Sequence, residues 1–444
     1  MRFFHSFKIT LLIVAFLFVT LVVIFGLLSP ASGEQAEKTY VLTAGKWGDR
    51  QNTAVIMAGG TVTFSHRETG VGIAVSSAPD FLERALASRA FTDGALDMMV
   101  EWQPPMEVVQ FDEAVITPGD EPYFSLQWNM QAIEAPGAWE AGYTGTGVRV
   151  AILDGGINQD HEELVTNLDI AASASFVPGQ NFDEDIGVFR HATHVAGIVA
   201  AADNGFGVIG VAPEATLIAV KVLHAGSGYF SWIIQGIEYA SRSLVEGGGS
   251  ADIINMSLSG YIWKARGAGP LVAALNKTIN TATKRGVLVI SAAGNDAFNF
   301  DHSWDIIVAP AESGNGIAIS ATGPVGFYYG ATNFRRFASY SNSGNSLIHI
   351  AAPGGDYVYP DDFWWYDMVL SPGSGTDGYW WAAGTSMAAP AAAGVAALIK
   401  QRFPDISVGA WKNKLANTAD DEGKPGHDAL YGRGFVNALR AVTE

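Results

Sequence analysis

The chain has 444 residues, 48% of them hydrophobic and 16% charged, a balance that describes a large globular body with a buried core and excludes a disordered chain. Its formal net charge of −18 excludes nucleic acid as a partner, because phosphates would be repelled. The absence of cysteine excludes disulfides, thiolate metal sites, cysteine nucleophiles and a lipid-modified N-terminal cysteine.

Residues 1–33 carry Arg2 and Lys8, an apolar run from Ile9 to Leu28 and the small-residue stretch Ser29-Pro30-Ala31-Ser32-Gly33, the pattern of an export signal. Removal of that signal gives a secreted or extracytoplasmic protein. The apolar run also reaches the length of about 20 residues that spans a bilayer, so an uncut segment would be a membrane anchor. From 34 to 110 the runs Tyr40-Val41-Leu42, Ala54-Val55-Ile56-Met57, Thr61 to Phe64 and Val71 to Val75 predict strands separated by glycine and polar turns. Residues 78–86 predict a helix with Pro79 near its start, which makes this a small α+β domain. Gln103-Pro104-Pro105 and the acidic stretch 117–122 predict a linker, with a processing site in 111–122. From 123 to 444 continuous apolar strands at Val148 to Leu153, Leu217 to Leu223, Asp252 to Met256 and Val287 to Ala293 alternate with helices at Phe230 to Ala240 and Leu271 to Arg285. That pattern predicts an α/β fold whose mainly parallel sheet is buried on both faces, with ligand chemistry at the carboxyl ends of the strands.

Four places fit that expectation. Asp154 directly follows the first apolar strand and precedes Gly155 and Gly156, so it can orient a histidine or simply cap a turn. His191 and His194 head an apolar helical run; the pair can supply a base, and the absence of a carboxylate at zinc-motif spacing argues against a metal pair. Asn295 ends the fourth strand, where its amide can donate to an oxyanion or merely form a Gly-Asn turn. Ser386 lies between Gly384-Thr385 and Met387-Ala388-Ala389-Pro390 at the start of an alanine-rich helix, whose unpaired N–H groups favour negative charge. Pro390 is expected in the first turn, where its missing N–H costs nothing.

Together these blocks resemble the subtilisin-like serine proteases, the subtilase family: Ile152 to Ile157, His191 to Gly197, Ser291 to Asn295 and Gly384 to Pro390, with further matches at Gly210 to Pro213, Lys221 to Leu223 and Tyr431 to Ala438. The order Asp, His, Ser along the chain is that of subtilisin and differs from the chymotrypsin and α/β-hydrolase orders. The resemblance covers about residues 120–444, and residues 34–110 resemble the family's inhibitory propeptide. It implies a subtilisin-like three-layer α/β fold and a monomeric serine endopeptidase that works through an acyl-enzyme on protein or peptide substrates without a catalytic cofactor. The propeptide would be its intramolecular chaperone and inhibitor, and propeptide removal would activate it. Ser386 would then be the nucleophile, His191 the base and acid, Asp154 the orienting carboxylate and Asn295 an oxyanion donor. An inactive relative that only binds peptides is the competing reading, and the presence of all four groups speaks against it.

The resemblance further implies two substrate edges, Gly226-Ser227-Gly228 and Ser257-Leu258-Ser259-Gly260, between which an extended peptide adds as a strand. Ser257 to Ser259 with Ala292, Ala293 and Gly294 would wall an uncharged pocket, suiting a large apolar residue before the cut in an otherwise broad specificity. A structural calcium would be held by carbonyls of Ala202, Phe206 and Val208 and the side chains of Asn204 and Glu163, the last one methylene longer than the family's aspartate. Ala192, Ser259 and Ala391 depart from the family pattern without removing a reacting group. The aromatic clusters 363–366 and 379–381 are expected to pack a hairpin against the body.

Overall fold

The computed structural model describes residues 36–104, 106–111, 122–187, 189–302, 305–358 and 362–444. The expected signal or anchor at 1–33 and nearly all of the expected linker at 111–122 lie outside them. Among the described residues no helix is long and apolar enough to cross a membrane.

The N-terminal unit is a four-stranded antiparallel sheet of β1 (Lys38–Thr43), β2 (Thr61–His66), β3 (Val71–Ser76) and β4 (Asp93–Leu96), in the order β2-β3-β1-β4. One face packs two helices, Asp49–Met57 and Phe81–Ala87, over Tyr40, Leu42, Val55 and Phe81. The expected strand at Ala54 to Met57 is therefore a helix. Its start is set by Gly48, whose N–H donates to Gln51 Oε1 at 3.1 Å, and only one face is apolar inward: Val55 is buried while Ile56 and Met57 face solvent. A four-residue apolar run fits helix and strand equally, and the cap decides. The other face of the sheet, with Val41 and Val71, shares a core with the helices Phe230–Ser241 and Gly269–Lys284 of the larger unit.

Two further strands follow, β5 (Met99–Glu101) and β6 (Val108–Gln110), on either side of the stretch Gln103-Pro104-Pro105 that the sequence reads as linker. Neither pairs within its own unit. The larger unit is built on β7 (Arg149–Asp154), β8 (Ala174–Ser175), β9 (Thr216–Lys221), β10 (Ser227–Tyr229), β11 (Ile253–Met256), β12 (Gly260–Trp263), β13 (Leu288–Ala292), β14 (Ile306–Ala309), β15 (Ile317–Thr322), β16 (Ile348–Pro353), β17 (Val369–Pro372) and β18 (Tyr379–Ala382). Seven of these form one parallel sheet in the order β16-β15-β13-β11-β7-β9-β8. Alternation along β7 explains its unbroken apolar sequence. Val150 and Ile152 enter one core with the helices His191–Ala200 and Thr385–Arg402, whereas Ala151 and Leu153 enter the other with Phe230–Ser241 and Gly269–Lys284. Strand order reverses at β7 and β11, so the crevice at their carboxyl ends is the switch point where such sheets bind ligands.

The helix Thr385–Arg402 is buried from Thr385 to Ile399, and its small residues permit that depth. A Cβ on Gly394 would collide with Val211. Pro390 is the sixth residue of this helix, beyond the first turn where the sequence predicts it. Proline there leaves the Ser386 carbonyl without its i+4 donor, and the Ser257 hydroxyl supplies one at 2.7 Å.

Candidate active site

β7 ends on Asp154, whose side chain is buried. Its Oδ2 accepts from His191 Nδ1 at 2.9 Å, and its Oδ1 accepts from Gly155 N–H at 2.6 Å. The buried Lys221 ammonium donates to the carbonyls of Gly155 and Glu184, which fixes the turn after Asp154. His191 opens its helix behind Arg190, whose φ of 56° is left-handed. Asp185 pins the head of that helix, accepting from Thr193 N–H at 2.9 Å and the Thr193 hydroxyl at 2.7 Å. Burial disfavours the His191 imidazolium, but the charge and hydrogen bond of Asp154, with Asp185 behind it, outweigh burial and raise its pKa above 6.5. Burial also pushes the Asp185 carboxyl up to about 7.

The nearby His194 is a different kind of group. It donates from Nε2 to the Trp380 carbonyl, 2.9 Å away, and burial pushes its pKa down to about 3, so it is a neutral core histidine.

Ser386 sits at the second position of its helix, and its hydroxyl donates to Ser257 O at 3.3 Å. His191 Nε2, the ring nitrogen turned from Asp154, is buried with no hydrogen-bond partner among the described residues. Asn295 follows β13, and its orientation is unambiguous. Its Oδ1 accepts from Thr385 N–H at 2.9 Å and the Thr385 hydroxyl at 2.7 Å, so the NH2 points away from that pair. A Cβ on Gly384 would stand 3.2 Å from Asn295 Nδ2, so glycine keeps this corner open. Thr385 Oγ1 also accepts Gly294 N–H at 3.0 Å, which joins the strand end to the helix head.

The expected substrate edges face each other and are occupied by the chain itself. β5 pairs antiparallel with β10, Val100 opposite Gly228 and Glu101 opposite Ser227, and Ser259 N–H donates to Trp102 O at 2.8 Å. Trp102 is fully buried, edge-on to Phe230 at 5.0 Å, with Nε1 donating to Gly228 O at 2.9 Å. A Cβ on Gly260 would come within 2.7 Å of that indole. Ser257, Leu258, Ala292 and Ala293 are buried beside this groove. Gln103 then reaches the pair at the centre, with Nε2 at 2.7 Å from Asp154 Oδ1 and 2.9 Å from His191 Nδ1. The sequence reading missed Gln103 and Trp102 as groove residues; their one signal was a lone tryptophan ahead of two prolines. β6 becomes the third strand of the β17–β18 hairpin, whose Tyr379, Trp380 and Trp381 are buried as packing residues.

The residues expected to hold calcium are gathered. The buried Glu163 accepts at Oε1 from Val208 N–H at 2.8 Å and from the Tyr379 hydroxyl at 2.7 Å, and its carbonyl accepts Ala202 N–H at 2.9 Å. Asn204 Oδ1 accepts Phe206 N–H at 3.0 Å. Gly207 has φ of 38°, and a Cβ there would meet both the Tyr379 hydroxyl and, at 2.5 Å, Glu163 Oε1. A buried carboxylate thus lies beside the loop 202–208, and carboxylate, amide and carbonyl oxygens are the hard donors that fit calcium.

Residues 145–434 match the family model described as the subtilase family, peptidase S8. M-protease of Shouchella clausii (strain KSM-K16) is 39% identical over 344 residues, 77% of this chain and 76% of its own length. Subtilisin Savinase of Lederbergia lenta is 40% identical over 319 residues, 72% of this chain and 99% of its own. The solved structure of the epidermin leader peptide processing serine protease (EpiP) from Staphylococcus aureus superposes with a TM-score of 0.73 over 92% of this chain and 98% of that one, at 22% identity, a likeness of fold. A family match across most of the larger unit, joined to relatives near 40% identity, is decisive: the chain belongs to the subtilase family and is a subtilisin-like serine endopeptidase.

Proposed function

We propose that this endopeptidase cleaves proteins and peptides through Ser386, His191 and Asp154, with Asn295 and the Ser386 N–H as oxyanion donors. The observation that carries the reading is the 2.9 Å bond from His191 Nδ1 to a buried Asp154, which leaves Nε2 as the ring nitrogen able to accept a proton. The Ser386 oxygen adds to the scissile carbonyl while its proton passes to His191 Nε2. Negative charge on the carbonyl oxygen is met by Asn295 Nδ2 and the helix N-terminus. Collapse breaks the C–N bond, and the imidazolium gives its proton to the leaving nitrogen. Water then repeats the sequence on the acyl-enzyme, with His191 again the base.

Residues 34–110 act on this reading as chaperone and inhibitor of their own protease, are removed at a processing site in 111–122, and leave a secreted monomer. Support comes from the groove, which residues 99–103 fill as a peptide strand. The uncharged wall formed by Ser257 to Ser259 and Ala292 to Gly294 favours a large apolar residue before the cut. In a peptide series varying only that residue, kcat/KM for phenylalanine or leucine is expected to exceed that for aspartate by about 10–100-fold. Equal rates across the series would remove the specificity claim.

Calcium, when bound, supplies positive charge that ties the loop 202–208 to Glu163. The expected holders are Glu163, Asn204 and the carbonyls of Ala202, Phe206 and Val208. Chelation is expected to lower the thermal midpoint by about 3–5 °C, the shift for a ligand at roughly 100 times its Kd on a domain of this size. Glu163→Gln is expected to erase the difference between calcium and chelator. A midpoint indifferent to chelation in the unsubstituted protein contradicts the site.

A further inference from the structure

The groove of this protein is threaded by its own chain on both sides of the nucleophile. On one side Trp102 and Gln103 N–H donate to Gly226 O at 2.9 and 3.1 Å, and Ser259 holds Trp102 O. On the other side β6 pairs with β18, Gln110 opposite Trp380 and Val108 opposite Ala382. Between these anchors Met106 reaches the oxyanion corner: a Cβ on Gly384 would lie 2.9 Å from Met106 Cε and 3.2 Å from Asn295 Nδ2. The stretch that runs from Gln103, against His191, to Met106, at the oxyanion corner, has the sequence Gln-Pro-Pro-Met and so three peptide bonds.

Two of those three bonds present a proline nitrogen. Such a nitrogen carries a ring carbon in place of hydrogen, with φ fixed near −65°. For the C–N bond to break, that nitrogen must turn its lone pair to His191 Nε2 and take the proton the imidazole received from Ser386. The ring carbon stands in that approach, and the locked φ prevents it from swinging aside. A second contact acts in the same direction. Gln103 Nε2 lies against both Asp154 Oδ1 and His191 Nδ1, and the Ser386 hydroxyl is turned to Ser257 O instead of to the base.

We propose that Pro104 makes the groove-bound segment a strap that the enzyme does not cut, so that a second, already active copy removes the N-terminal unit at a bond outside the groove. The inference rests on the reading of Ser386 as nucleophile. While residues 99–103 fill the groove, no other stretch of the same chain can enter it, so cutting elsewhere requires another molecule.

The test follows loss of the full-length chain at two concentrations, with the mass of the released N-terminal fragment and hydrolysis of a chromogenic peptide read in the same samples. The expected progress curve has a lag, its rate falls in proportion to dilution, seeding with mature enzyme abolishes the lag, and the fragment extends beyond Met106. In the double variant Pro104→Ala, Pro105→Ala the cut is expected to move between Gln103 and Met106, at a rate independent of dilution. Unsubstituted fragments ending at Gln103, Pro104 or Pro105 in a dilution-independent reaction overturn the proposal. So does a double variant still cut only beyond Met106. Full-length Ser386→Ala chain that survives beside active enzyme overturns the copy-on-copy route. If no sample hydrolyses the peptide, the reading of Ser386 fails instead.

Discussion

Replacing Ser386 by alanine is expected to lower kcat by about 10⁶-fold, a magnitude that belongs to subtilisin, while leaving the fold intact. The hydroxyl makes one long bond, 3.3 Å to Ser257 O, so its loss costs the folded state no more than about 1 kcal/mol. The helix keeps its seat because the Ser257 hydroxyl still bonds the backbone carbonyl at position 386. Catalysis loses its proposed nucleophile, which no neighbouring group replaces once the hydroxyl is gone. Steady-state hydrolysis of a peptide substrate, measured with the thermal midpoint of each protein, separates the two effects. Activity within tenfold of the unsubstituted enzyme, at an unchanged midpoint, would deny Ser386 its role.

Asp154→Asn is expected to cost about 10⁴-fold in kcat, as the loss of tautomer control does in this class of triad. The direction follows from the local donors. Gly155 N–H at 2.6 Å demands an acceptor at the Oδ1 position, so the new amide must place its NH2 toward His191 Nδ1. Nδ1 then accepts a hydrogen bond, the ring proton moves to Nε2, and the base is blocked. The pH profile carries the same information. As the proposed base His191 works only when neutral, and its pKa is raised in the intact site, so kcat/KM should fall as pH drops through a value above 6.5. With the Asp154 charge removed, burial dominates and the inflection moves to lower pH. An unchanged inflection in Asp154→Asn would show that another group sets it.

Much of the fold was legible because the parallel sheet writes both of its buried faces into each strand. β11 and β13 lie within the predicted apolar runs, β7 and β9 overrun theirs by one residue, and Asp154 ends β7 while Asn295 stands three residues beyond the end of β13. His191 and Ser386 stand at helix heads for the same local reason, a change from loop to small apolar helix. Apart from the helix Asp49–Met57, which a local cap starts, the missed features depend on distant partners. Nothing local marks Val108 to Gln110 as a strand, since its ladder is supplied by β18, more than 250 residues later. Gln103 reads as linker because its partners, Asp154 and His191, belong to another unit. Pro390 was placed too early, because the donor that makes a second-turn proline tolerable is Ser257. The surroundings of Glu163 show the same dependence: Tyr379, which donates to its carboxylate, stands far from the loop 202–208 in sequence.

The most direct test of the proposed triad is to treat the processed protein with a fluorophosphonate and map the adduct by mass spectrometry. A single adduct on Ser386, formed at neutral pH and nearly lost in Asp154→Asn, is the expected result. A protein that hydrolyses peptides while Ser386 stays unmodified, or that carries the adduct on another serine, contradicts it.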